Sequence, residues 1–234
     1  TALEGDLDLS SSSDDPDASV LEVDDSSDTN GATIGVFEVE ENEGLDVNIT
    51  EMTVTLATSD TITDVVKKLY VYDGSTLVGS ETVTGLTVTF DNIDLDISGD
   101  ETVELTIKAD LDDTNDQVRY QNGDTIQVAS VNLTEYEDEM GNDDGDFTET
   151  GSFAGQVHTL YSDGINVEIV GSPTTEVTSV DGATNDVVQF TWVAEVTAFG
   201  DSDVYINRDV ANIVLAAGKA ATDTDVEYIV EYST

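Results

Sequence analysis

The chain contains no cysteine. A disulfide, a thiolate metal site and a cysteine nucleophile are therefore impossible. It has a single histidine, His158, so a Ser-His-Asp arrangement would have to use that residue; no Gly-x-Ser-x-Gly elbow accompanies it, and a plain structural or surface histidine is expected. No phosphate-cradling glycine loop is present. Basic residues number only 6 against 52 acidic ones, a net charge of −46. That is the wrong sign for nucleic acid, whose phosphates need Lys and Arg to displace counterions, and it disfavours docking on an anionic membrane. No apolar run approaches the roughly 20 residues of a spanning helix, so direct membrane insertion is not expected. The chain opens at Thr1 without Met or a signal peptide, which suggests a processed mature chain or an excerpt.

What is present argues for a folded, all-β object. With 38% hydrophobic residues over 234 positions the chain can bury a real core. Acidic residues are spread along the whole length. A folded chain of this mass exposes roughly 10,000 Å², which gives each net charge on the order of 220 Å² and about 15 Å between neighbours. The screening length is about 10 Å at 0.1 M salt and about 3 Å near 1 M. The surface suits brine or cations in solution.

The most legible element is the hairpin from Lys67 to Val83. Leu69 and Val71 share one face and Tyr70 and Tyr72 the other; Asp73-Gly74 turns the chain, and Leu77-Val78 begins the return. Before it, residues 3–9 alternate apolar and acidic, as a strand with one buried face does, and Ala32 to Glu41 reads as a second strand. Leu45, Val47 and Ile49 occupy odd positions but Met52, Val54 and Leu56 even ones, so a bulge or a crossing between sheets is expected near Thr50-Glu51. After it come short alternating runs around Val88, Leu95 and Leu105, each ended by Gly, Asp or Asn, and a further strand from Thr125 to Leu133. Seven or more short strands at about ten-residue spacing predict an immunoglobulin-like antiparallel β-sandwich over residues 1–160.

A second, smaller or incomplete β-sandwich module is expected over residues 161–234. Gly164 to Ile169 echoes Gly5 to Leu9, and Pro173, Glu195-Val196 and Asp203-Val204 follow Pro16, Glu38-Val39 and Asp46-Val47 at an offset of 157 residues. By that offset the second copy stops in mid-fold. Its terminal strand, with Val226, Tyr228, Val230 and Tyr232, would then have an unpaired edge. Trp192 alternates with Phe190 and Ala194, which predicts a core position rather than a sugar platform. Tyr228 and Tyr232 fit either an interface or one wet face of a strand.

The run Lys68 to Gly79, with Val88-Thr89-Phe90 and Thr102 to Leu111, resembles modular secreted β-sandwich proteins of candidate-phyla bacteria and some archaea, and Val196 to Ile206 resembles a second recurring module of the same proteins. The resemblance implies an extracellular, cell-surface location in a layer, appendage or filament. It defines no functional residues.

Two loops carry clustered carboxylates of the kind hard cations bind: Asp110, Asp112, Asp113 and Asp116, and Asp138, Asp143, Asp144 and Asp146. Neither fits an EF-hand, and solvated acidic loops are the alternative to a Ca²⁺ site. The sequons at Asn48 and Asn132 are compatible with glycosylation. The function expected is that of a non-enzymatic structural subunit, which forms a homopolymer with identical subunits by β-strand addition. Residues 1–9, with Leu3, Leu7 and Leu9, would be the exchanged strand and the Val226–Tyr232 strand the receiving edge. An adhesin or carbohydrate-binding module stiffened by Ca²⁺ is the alternative, and a secreted hydrolase the third option.

Overall fold

The computed structural model describes residues 6–139, 141, 148–179 and 186–200. Fourteen strands and one helical turn make up the described elements. In chain order they are β1 (Asp6–Ser11), β2 (Val20–Glu22), β3 (Thr29–Glu41), β4 (Val47–Thr58), α1 (Ile62–Val65), β5 (Val66–Asp73), β6 (Thr76–Thr82), β7 (Thr87–Phe90), β8 (Leu95–Ile97), β9 (Thr102–Leu111), β10 (Thr125–Asp138), β11 (Thr148–Gly151), β12 (His158–Tyr161), β13 (Gly164–Ser179) and β14 (Asp186–Phe199).

Three sheets result. The first runs β11-β1-β3-β9-β5-β6 and the second β2-β12-β10-β4-β7, with β8 also on β4. The third is β13-β14 alone. Within the first two, all pairings are antiparallel except β1 with β11 and β2 with β12. The alternation in the sequence explains why these two sheets face each other. Leu7, Phe37, Val39, Leu69, Val71, Leu105 and Ile107 from the first, and Val47, Ile49, Met52, Val54, Leu56, Ile126 and Val128 from the second, join one buried cluster. Phe37 stacks on Phe153 with ring centroids 5.3 Å apart, and both rings are buried.

The hairpin from Lys67 to Val83 forms as expected. Leu69 and Val71 are buried, Tyr70 and Tyr72 lie half-buried on the outer face, and Gly74 turns the chain at φ +53. Gly supplies this left-handed conformation without the steric cost of a Cβ. The face switch in β4 is a bulge: Ile49 pairs with Tyr136, Glu51 with Glu135 and Met52 with Leu133, so the register shifts around Thr50 and apolar side chains on both sides of it stay inward.

Glu41 is a buried carboxylate that ties the β3–β4 turn to the loop before β9. Its oxygens accept the backbone N–H groups of Glu43, Gly44, Leu45 and Asp100 at 2.8 to 3.2 Å. Such a nest compensates for removing the charge from water. Gly99 lies so close to Gly44 that a Cβ there would meet backbone at 2.3 Å, so only glycine fits.

Candidate functional site

Two of the four basic residues among the described ones converge on the end of β9. Val66 pairs with Leu111, which sets Lys67 beside Asp112. Lys67 Nζ lies 2.6 Å from Asp28 and 3.0 Å from Asp112. Asn115, Asp116 and Gln117 have φ between +49 and +60, a left-handed turn that folds the chain back, and the N–H groups of Val118 and Arg119 donate to the Thr114 carbonyl. Arg119 Nη1 thereby reaches the carboxylates of Asp112 and, at 2.6 Å, Asp113. The buried Tyr120 hydroxyl donates to the Asp112 carbonyl, and Thr114 donates to Asp25 at 2.6 Å.

The electrostatics are those of a closed knot. The hydrogen bond to Asp28, with help from Asp112, holds the Lys67 ammonium above its usual range. The bond to Asp113 does the same for Arg119. For Asp113 partial desolvation pushes upward, but the bond and charge of Arg119 outweigh it and the carboxyl titrates below its usual value. Carboxylate oxygens of Asp28, Asp112 and Asp113 lie within 4.8 Å of one another, a spacing that could hold a metal ion. Lys67 and Arg119 supply positive charge to those same carboxylates, so a metal would compete with them.

The expected cation loops are thus divided. Asp112 and Asp113 enter the knot together with Asp28, which the loop pattern did not single out. Asp110 faces elsewhere: one oxygen accepts the Tyr70 hydroxyl at 2.6 Å and the other the Gly31 N–H at 2.9 Å. Asp116 is exposed, and Asp138 is buried in β10. Asp143, Asp144 and Asp146 lie outside the described residues. Of the sequon asparagines, Asn48 is half-buried with its amide donating to Asp94 and Asp96, whereas Asn132 is exposed in the middle of β10.

His158 is fully buried, its Nδ1 is 3.0 Å from the Ser19 hydroxyl, and its Nε2 has no hydrogen-bond partner among the described residues. Burial pushes its pKa down, against weaker opposing effects of the Asp15 charge and the Ile34 backbone. No carboxylate hydrogen-bonds to the imidazole among the described residues.

A different kind of site lies in the third sheet. Ile165 pairs with Ala198, Val167 with Val196 and Ile169 with Ala194. By strand alternation these six, with Trp192, lie on one face of the hairpin. The other face carries Asn166, Glu168, Glu195 and Thr197, with the exposed pair Val170 and Val193 beyond them. Yet Val167, Ile169 and Trp192 are 53%, 58% and 64% exposed. The core position expected for Trp192 is therefore corrected: the strand pattern is right, but no described sheet covers that face.

Leu7 and Leu9 of the expected exchanged strand are buried in the chain's own core, and β1 is paired on both sides, by β3 and β11. Leu3, and Val226, Tyr228, Val230 and Tyr232 of the expected receiving edge, lie outside the described residues. Comparison with protein-family models and with curated proteins returned no match.

Proposed function

We propose that the chain is a non-enzymatic extracellular structural subunit that assembles with identical copies into a surface filament or lattice. The single observation that carries this reading is the uncovered apolar face of the β13–β14 hairpin formed by Ile165, Val167, Ile169, Trp192, Ala194, Val196 and Ala198. Contiguous apolar surface of this kind marks an interaction site, and a two-stranded hairpin alone is marginal in water. Both outer edges of the hairpin lack a partner among the described strands, so a second copy can add strands as well as cover the apolar face.

The finer architectural reading belongs with it. The orders β1-β3-β9-β5 and β2-β12-β10-β4 support an immunoglobulin-like core, with β6, β7 and β8 inserted before β9. A second module is supported by the echo between β1 and β13 and between β3 and β14: β1 pairs antiparallel with β3 just as β13 does with β14. The hairpin is then the opening pair of a repeat whose facing sheet comes from elsewhere. Assembly by strand addition no longer needs β1 to leave its own core; the unpaired edges serve.

Substituting both members of one cross-strand pair, Val167→Lys with Val196→Lys, tests this. Sedimentation velocity should show a concentration-dependent polymer for the parent chain and monomers for the variant, with the same unfolding transition for the sandwich in both. Normal polymerisation of the variant would refute the hairpin's role. The exposed Trp192 favours one second reading, a carbohydrate-binding or adhesive module. Glycan-array binding that is lost in Trp192→Ala, by a chain that stays monomeric, would select it instead.

A further inference from the structure

The outer face of the first sheet carries a patch unlike the rest of the surface. Tyr70 on β5 pairs with Lys108 on β9, and Lys68 and Tyr72 flank Tyr70 on the same face. Lys68 Nζ sits 4.9 Å from the centre of the Tyr70 ring and Lys108 Nζ 5.1 Å from that of Tyr72, while the two rings lie 6.3 Å apart. The four described basic residues divide evenly: Lys67 and Arg119 are in the acidic knot, Lys68 and Lys108 are here. Neither patch lysine is within 4.0 Å of a carboxylate oxygen among the described residues. Asp110, directly opposite Lys68, is taken by the Tyr70 hydroxyl and the Gly31 N–H. In a chain of net charge −46, two surface lysines that rest on tyrosine rings and have no ion pair among the described residues are conspicuous.

The opposite sheet carries the complement. A groove of about 820 Å³ on the outside of β4, β8 and β10 is lined by Asp46, Asp96, Glu135, Glu137 and Glu139. The Glu135 and Glu137 side chains are exposed and have no partner among the described residues. We infer that the Lys68–Tyr70–Tyr72–Lys108 patch of one copy docks on the acidic groove of a second copy. This docking rests on the homo-assembly proposed above and supplies it with a second pair of surfaces. Complementary charge is the reason for choosing a second copy as the occupant: the chain itself presents far more carboxylate than it can neutralise, and the patch offers unpaired ammonium groups. Tyrosine adds large contact area at low entropic cost, and the lysine over each ring gains from desolvation when a carboxylate closes on it. Because the two surfaces differ and lie on opposite sheets, the contact is heterologous. Repeated from copy to copy it gives an open row rather than a closed dimer.

Three purified full-length chains test this across salt from about 0.15 to about 1 M, a range over which long-range repulsion is screened and close pairs persist. They are the parent, a patch-reversed variant (Lys68→Glu with Lys108→Glu) and a groove-reversed variant (Glu135→Lys with Glu137→Lys). Melting curves check folding; the neutral pair Lys68→Gln with Lys108→Gln substitutes if a reversal unfolds the chain. Each reversed variant alone should self-associate at least about tenfold more weakly than the parent. Mixed one to one, they should assemble again, since each reversed surface then meets its complement. Unchanged association of both variants overturns this docking but leaves the homo-assembly intact. A parent chain that stays monomeric at every concentration and salt overturns both. Glycan binding that needs Tyr70 and Tyr72, with association independent of the lysines, assigns the patch to sugar and overturns the docking.

Discussion

The sandwich formed by β1 to β12 and the β13–β14 hairpin share one sequence pattern and differ in what the pattern buries. Val54 on β4 and Val167 on β13 each alternate with polar neighbours, yet Val54 is fully buried and Val167 is 53% exposed. Alternation specifies a strand and which side of it is apolar. Burial needs a second sheet, and that depends on residues far away in the chain or in another molecule.

The sharpest way to break this contrast is to truncate an apolar side chain on each side. Phe37→Ala empties a site packed against Phe153 and should lower the unfolding free energy by about 3–5 kcal/mol in urea titration. Val167→Ala, measured on the monomer, should change it by less than about 0.5 kcal/mol. Equal losses would mean that the hairpin is as covered as the core.

Glu41 comes next, since it braces the sandwich through a buried charge. Glu41→Ala strands four N–H groups and should cost about 3 kcal/mol, and Glu41→Gln, whose carbonyl still accepts, clearly less. Removing a carboxylate at the knot should do less damage. Asp112→Ala leaves Lys67 and Arg119 side chains that are about 40% exposed and readily rehydrated, so about 1–2 kcal/mol is expected, shrinking in high salt.

The smallest effect concerns pH. Unfolded, His158 titrates near 6.5, and burial in the folded chain keeps it neutral to lower pH. Below about 6.5 the unfolded chain therefore binds more protons, so this residue's contribution is present at neutral pH and is lost as pH falls through the folded value. The stability difference between the parent and His158→Gln should change between pH 7.5 and pH 5 in that direction, with the background from the many carboxylates cancelling between the two chains. A pH-independent difference would mean that the imidazole is solvated.

Much of the sandwich was legible because one-face burial leaves a period of two. The β5–β6 hairpin, the β4 bulge and the buried Leu7 and Leu9 all follow from that period together with the turn chemistry of Asp73-Gly74. The candidate sites were less legible. The loop holding Asp112 and Asp113 was recognised by its carboxylates, but Asp28 joins it from 84 positions away, through the pairing of Thr29 with Leu111. The signal that could have found the knot was scarcity: with so few cations, Lys67 and Arg119 were the residues to follow. Scarcity also points to Lys68 and Lys108, whose tyrosine partners were visible in the alternation but not their lack of ion pairs. Trp192 was misplaced because periodicity distinguishes two faces of a strand without saying whether the apolar one is covered.

The exposed apolar face of the hairpin is what the assembly reading depends on, and Trp192, the only tryptophan in the chain, reports on it. Its fluorescence and quenching by iodide and acrylamide, followed as protein concentration rises alongside light scattering, test the claim directly. The account predicts an exposed, readily quenched indole in the monomer that becomes blue-shifted and shielded as mass increases. An indole already shielded in the monomer, or one equally accessible at every concentration, would contradict it.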